Sequence, residues 1–338
     1  MYIGATGMVC AVGLDAASAC AAMRAGISGF MELPYCDNSG EPIIGAAVPG
    51  IDFKLRREDR IIELLALAID DLLKQTPDLK TPQVPLLVGL AEPERPGGCG
   101  GLADQVVARL QTRLSIQFHA QLSRAFPTGH TAGFEALKFA REQLQSANVP
   151  ACIVCGADSL VNAKSLLWLD GHGRLKTLDN SDAVIPGEAG AAVLVRNKRE
   201  PNSVGVRIQG LGFGIEKAHI LSDEPNIGLG LAAATRQALT DAGCQMHEVD
   251  FRIADIAGEQ YAFKELALVI SRLQRQRRIC QTVWHAAQSI GDHGAAAATV
   301  GLAIVRDAWV KNYAPGKRVV LSGSATGGAR AAAIVNVE

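Results

Sequence analysis

The sequence predicts an α/β fold built from two duplicated halves. Two observations carry this. Short Val/Ile/Leu runs alternate with Gly/Ala-rich segments, a pattern of parallel strands packed tightly against helices. The same order of segments also occurs twice along the 338 residues, a length near two ordinary domains. In the first copy Gly129–Leu144 (GHTAGFEALKFAREQL) reads as a helix, Ala151–Ser159 as strand plus turn, and Glu188–Val195 as a small-residue strand. In the second, Gly291–Trp309 is the helix, Arg318–Gly328 the strand plus turn, and Ala329–Val337 the closing strand. The polar, Pro-containing link Lys198–Ser203 divides them, giving halves 1–199 and 200–338.

The remaining elements follow from periodicity. Tyr2–Val9 is a strand and Asp15–Arg24 a helix. From Glu58 to Lys74, Ile61, Leu64, Leu65, Leu67 and Ala68 recur at helical spacing. Val84–Leu90 is an apolar strand, Glu92–Gly101 (EPERPGGCGG) a surface loop, and Leu102–Leu114 a helix.

Composition narrows the function classes. Lys+Arg number 33 against 34 Asp+Glu, a net charge of -1, so the basic footprint of a nucleic-acid binder is missing. With 48% hydrophobic residues the chain is no disordered polymer. Its greasiest run, Ala295–Val305, is far shorter than the roughly 20 residues of a membrane span. MYIGATGMV has no basic leader before its apolar run, so no signal peptide is expected. The eight cysteines are dispersed; Cys152 and Cys155 form a CxxC inside an apolar strand, where their side chains point to different faces. A reducing, cytoplasmic setting fits this usage. Asn226–Leu231 (NIGLGL) lacks the strand context of a dinucleotide site, and no HExxH-like spacing marks a metal site, so no cofactor or metal is expected. The basic run Arg272–Arg278 reads as a solvated helix end, with a dock for an acidic partner as the alternative.

Four segments, in order, resemble the β-ketoacyl synthases of the thiolase superfamily. Ala5–Phe30 resembles their N-terminal signature, including the "RAG-SG" motif at Arg24, Ala25, Gly26, Ser28 and Gly29. Val154–Ser159 (VCGADS) is similar to "AGGAES", Pro186–Val195 to "GEGAGVLVL", and Ile290–Val305 to "IGHTLGAAG". The resemblance implies a five-layered αβαβα thiolase-like fold, usually a homodimer. It also implies a Cys-His-His site, in which a helix-tip thiolate is acylated by a carrier-bound thioester and two histidines promote decarboxylation.

This sequence departs from that site. Matching Gly133, Ala136 and Leu137 to the end of the family's "CSTG…AI" helix places His130 at the nucleophile position; the nearest cysteines are Cys99 and Cys152. In Asp255–Tyr261 (DIAGEQY), keeping Gly258 in register with "HGTGT" puts Ala257 at the first histidine. After Ile290-Gly291 comes Asp292, with His293 one place later. The resemblance therefore implies a cluster of His130, Glu259, His285, Asp292 and His293, with Asp292 and Glu259 suited to helix starts. The reading is a non-condensing, partner-binding or scaffold protein. Its partner would be an acyl carrier protein or a component of a secretion or biosynthetic cluster. Two alternatives stand beside it: an acyltransferase or hydrolase using His130, and the inactive half of a heterodimeric condensing pair.

Overall fold

The structure is a computed structural model that describes residues 1–146, 149–201, 203–278 and 282–338. Cys280 lies outside the described residues. In chain order the first half contains β1 (Tyr2–Cys10), α1 (Ala16–Arg24), β2 (Met31–Cys36), β3 (Pro42–Gly45), α2 (Arg57–Lys74), β4 (Leu86–Gly89) and α3 (Val106–Leu114). It continues with β5 (Arg124–Phe126), α4 (Ala132–Ser146), β6 (Cys152–Ser159), α5 (Ala163–Gly171) and β7 (Glu188–Arg196). The second contains β8 (Val206–Ile215), α6 (Leu229–Ala242), β9 (Phe251–Ala254), α7 (Gln260–Leu273) and β10 (Thr282–Trp284). It closes with α8 (Ala287–Ile290), α9 (Ala297–Val310), β11 (Arg318–Ser324) and β12 (Ala329–Val337).

The strands run β10-β9-β11-β12-β8-β1-β7-β6-β4-β5, and β2-β3 form a separate hairpin. The long sheet is two five-stranded sheets that meet where β1 and β8 pair at Tyr2–Arg207, with Met1 and Ile208 hydrogen-bonded beside them. Each half has the same order and sense. Its first strand is antiparallel to its last, the last is antiparallel to the fourth, and two parallel neighbours follow. This is the duplication expected from the sequence, now as topology.

Period-two burial sorts the side chains into five layers. On β7, Ala189, Ala191, Val193 and Val195 face a central core shared with α4 and α9. Ala192 and Leu194 face α2 and α3 on the outside. On β12, Ala331, Ala333 and Val335 join the same central core. Ala332 and Ile334 face α6. The layers are thus helix, sheet, helix, sheet, helix, with α4 and α9 in the middle. Cys152 and Cys155 of β6 fall in different cores, on opposite faces of the sheet.

Element limits differ from expectation where local chemistry intervenes. Asp15 caps α1, its carboxylate accepting from the Ser18 N–H at 2.7 Å. The apolar run at Val84–Leu90 is regular strand over Leu86–Gly89; Pro85, with no N–H to give to a ladder, still accepts the Ile153 N–H at its carbonyl. The helix expected from Gly291 begins only at Ala297, after a 3-10 turn at Gly294–Ala296. The loop at 92–101 is not wholly on the surface. Arg95 turns inward and forms a two-pronged ion pair with the buried carboxylate of Asp158.

β8 shows why glycine is needed for close layering. A Cβ on Gly210, Gly212 or Gly214 would lie 2.1, 2.0 or 2.3 Å from a carbonyl oxygen of α6. With no side chains on that stripe, helix and strand backbones meet directly. Gly212→Ala is expected to push α6 off the sheet and cost about 2 kcal/mol, the scale of an overpacked core. Gly101→Ala, where nothing lies within 4 Å, should be near neutral. Urea unfolding midpoints of the two variants check this.

Candidate functional site

His130 lies in a 3-10 turn, Gly129–Thr131, that leads into α4. Gly129 has a φ of +61°, and a Cβ there would fall 2.2 Å from the Glu92 carboxylate, so both conformation and space require glycine. The turn directs the imidazole across the boundary between halves. There His130 Nε2 lies 2.9 Å from Asp292 Oδ1, and both side chains are about nine-tenths buried. Asp292 precedes the 3-10 turn that opens α9, and the same Oδ1 accepts the Gly294 N–H at 3.0 Å. Contrary to expectation, it does not cap α9 itself. Asp158, held by Arg95, accepts the Ala295 N–H at 3.0 Å and secures the same turn.

Burial opposes charge on both members of the pair, but mutual attraction outweighs it. The His130 pKa is raised to about 9 by the Asp292 carboxylate. Asp292 is held well below the usual carboxylate range by the imidazolium and the Gly294 N–H. At neutral pH the pair is an imidazolium–carboxylate ion pair, with no free base at Nε2.

Glu259 stands just before α7, but its side chain does not cap that helix. It receives Arg174 in a bidentate pair at 2.7 and 2.8 Å. Arg174 comes from the loop after α5, and its Nη1 reaches Thr326 Oγ1 at 3.4 Å. Beside it, Arg330 of β12 donates to Glu265 at 2.9 Å and to the Tyr261 hydroxyl at 3.0 Å. His130, Asp292, Arg174, Glu259, Arg330 and Glu265 line one cavity of about 50 Å³. That space holds about one or two waters. No cysteine lines it among the described residues.

Sequence reasoning missed Asp255 in this cavity. It is the first residue after β9, and the Ser324 N–H donates to it at 2.6 Å. Burial pushes its carboxyl up, against the attraction of His130. Registering the turn on Gly258 had put Ala257 at the first family histidine. The residue directly following the strand Phe251–Ala254 is Asp255, and the strand end is the usable signal. His293 is buried beside this group; its Nδ1 lies 3.0 Å from the Gly291 carbonyl, and burial lowers its pKa. It shares a small void of about 10 Å³ with Asp255 rather than lining the His130 cavity.

His285 is a correction. It does not join the cluster. It follows β10, where the chain turns away, and it lines a different cavity of about 210 Å³ with residues of α1. Among the described residues, no group of three or more His, Cys, Asp and Glu side chains has the arrangement of a metal site. No helix there is long and apolar enough to cross a membrane.

No family model and no curated protein matches this sequence. Solved structures do match, over the whole chain. A ketosynthase in complex with its chain length factor from Xenorhabdus doucetiae aligns with a TM-score of 0.76 at 17% identity, covering 100% of this chain and 98% of that one. The ishigamide ketosynthase/chain length factor gives 0.81 at 18%, again covering 100% and 98%. The Streptomyces albus oxazolomycin ketosynthase domain gives 0.75 at 15%, covering 100% of this chain and 75% of that one. The chain has the thiolase-like fold of the ketosynthases and chain length factors.

The His130–Asp292 pair makes stability depend on pH. The raised pKa of His130 gives a contribution that is full below its ordinary value of 6.5 and lost as pH climbs through about 9. The lowered pKa of Asp292 adds stability above its ordinary 3.8, lost on acidification. Asp292→Asn should therefore destabilise most between about pH 4 and 6.5, with the gap to the parent narrowing towards pH 9. Melting temperatures of both proteins across pH 4–9.5 measure this.

Proposed function

We propose that this protein is a ketosynthase-like chain that does not condense acyl groups and acts as a partner-binding accessory component. The observation that carries this is the small size of the cavity at the start of α4. Two buried ion pairs, Arg174–Glu259 and Arg330–Glu265, line it, and the space left is about 50 Å³, too little for an acyl thioester. Its chemistry agrees with its size. An imidazolium with a pKa of about 9 has no lone pair at Nε2 to attack a carbonyl at neutral pH. Asp292 supplies a carboxylate, whose negative charge opposes a developing enolate or oxyanion. The same pairing speaks against a hydrolase that uses His130 as its base, since such a base must be unprotonated near neutral pH.

The partner we propose is a second thiolase-fold chain, either another copy or a ketosynthase. The likeness to a ketosynthase seated with its chain length factor supports this. An acyl carrier protein is the other candidate.

Incubation with acyl-CoA and acyl-carrier thioesters, followed by intact-protein mass spectrometry, should leave the chain unlabelled. Stable acylation at any residue would sink the proposal. His130→Cys should also stay below a few percent labelled, because the Asp292 carboxylate beside that position opposes the thiolate that acylation needs. Native mass spectrometry should find a dimer, or a complex with a co-expressed ketosynthase, that His130→Ala leaves intact.

A further inference from the structure

We infer that the cavity at His285 is a binding site for a small organic monocarboxylate, aromatic or short-chain, gripped by Arg24 and His285. At about 210 Å³ it is roughly four times the size of the His130 cavity. An apolar void of about 150 Å³ accepts benzene, so this space suits a body of similar or slightly larger bulk. Its walls come from both halves: Cys20, Met23 and Arg24 of α1, Ile253 of β9, Ile304 of α9, and Trp284 and Tyr313. The apolar members form most of the surface; Gln288 and Ser289 add polar lining, and Arg24 and His285 are the two basic groups.

Arg24 is the first. It ends α1 at the rim, and among the described residues it has no carboxylate partner; its guanidinium lies 4.9 Å from the centre of the Tyr313 ring. Asp307, which hydrogen-bonds to Tyr313, is already engaged by Lys311 at 2.8 Å and by the Tyr313 hydroxyl at 2.8 Å. The guanidinium fork is thus open to an anion, and carboxylate matches it bidentately. His285 is the second. Its Nδ1 is buried with no hydrogen-bond partner, a state that costs free energy until something fills it. Burial lowers the His285 pKa, so the ring is neutral near pH 7 and Arg24 supplies the single positive charge. One cation beside an apolar wall selects a monoanion with an apolar body over a phosphate or a dicarboxylate. The site is separate from the His130 cavity and shares no lining residue with it.

Calorimetric titration of the full chain with benzoate, hexanoate and benzyl alcohol tests this. At least one of the two acids should bind saturably at or below about 1 mM, with the neutral alcohol about tenfold weaker or undetectable. Arg24→Ala, at an exposed helix end, should weaken the acid about tenfold. Gln288→Trp, also exposed, should close the mouth and abolish binding of both acids. Melting curves establish that both variants are folded. Benzoate against hexanoate reports whether the body is flat or a chain. The inference is overturned if neither acid binds the parent protein, or if binding survives both substitutions unchanged.

Discussion

The contact between His130 and Asp292 is where the two halves of this chain meet electrically. Each residue belongs to the turn that opens a central helix, α4 in one case and α9 in the other, so the 2.9 Å pair fixes the relative placement of both. Removing one partner of a buried pair leaves an uncompensated charge, typically at a cost of about 3–5 kcal/mol. The surrounding groups depend on it. Three cations, His130, Arg174 and Arg330, face four carboxylates, Asp255, Asp292, Glu259 and Glu265. Burial pushes Asp255 and Glu265 towards their neutral forms, which brings this count closer to balance. Remove the imidazolium and the excess of negative charge has no local answer.

The frame is indifferent to that chemistry. Its strands need small or β-branched residues at period two and glycines where backbones touch. Those demands are met by many sequences, which is how 17% identity coexists with a TM-score of 0.76. A site, by contrast, needs particular atoms at particular distances. Fold and site can therefore part company, and a likeness of fold does not carry the Cys-His-His site with it.

This difference explains what could be read from sequence. Helices such as α2, with Leu64, Leu65 and Ala68 on one stripe, are visible because burial imposes a period. The repeated helix–strand–turn–strand order exposed the duplication. His130 and Asp292 were accessible because each sits a fixed number of residues from a glycine motif. Arg95 was not, since an EPERPGG stretch carries every mark of a surface loop and only the buried Asp158 draws its side chain in. Asp255 was missed by anchoring on Gly258 instead of on the strand end. His285 was misassigned because adjacency in sequence to the Asp292 segment says nothing about which side of the sheet end a side chain faces.

The small volume of the central cavity is a matter of energetics as well as space. To admit a thioester, the Arg174 guanidinium would have to leave Glu259, giving up two charge-assisted hydrogen bonds and stranding a carboxylate that is one-tenth exposed. The arriving group, a neutral acyl thioester, offers nothing to a stranded carboxylate. A substrate that must break a buried ion pair without replacing it binds weakly and reacts slowly. The same ion pairs tie the loop after α5, β12 and α7 to one another around this cavity.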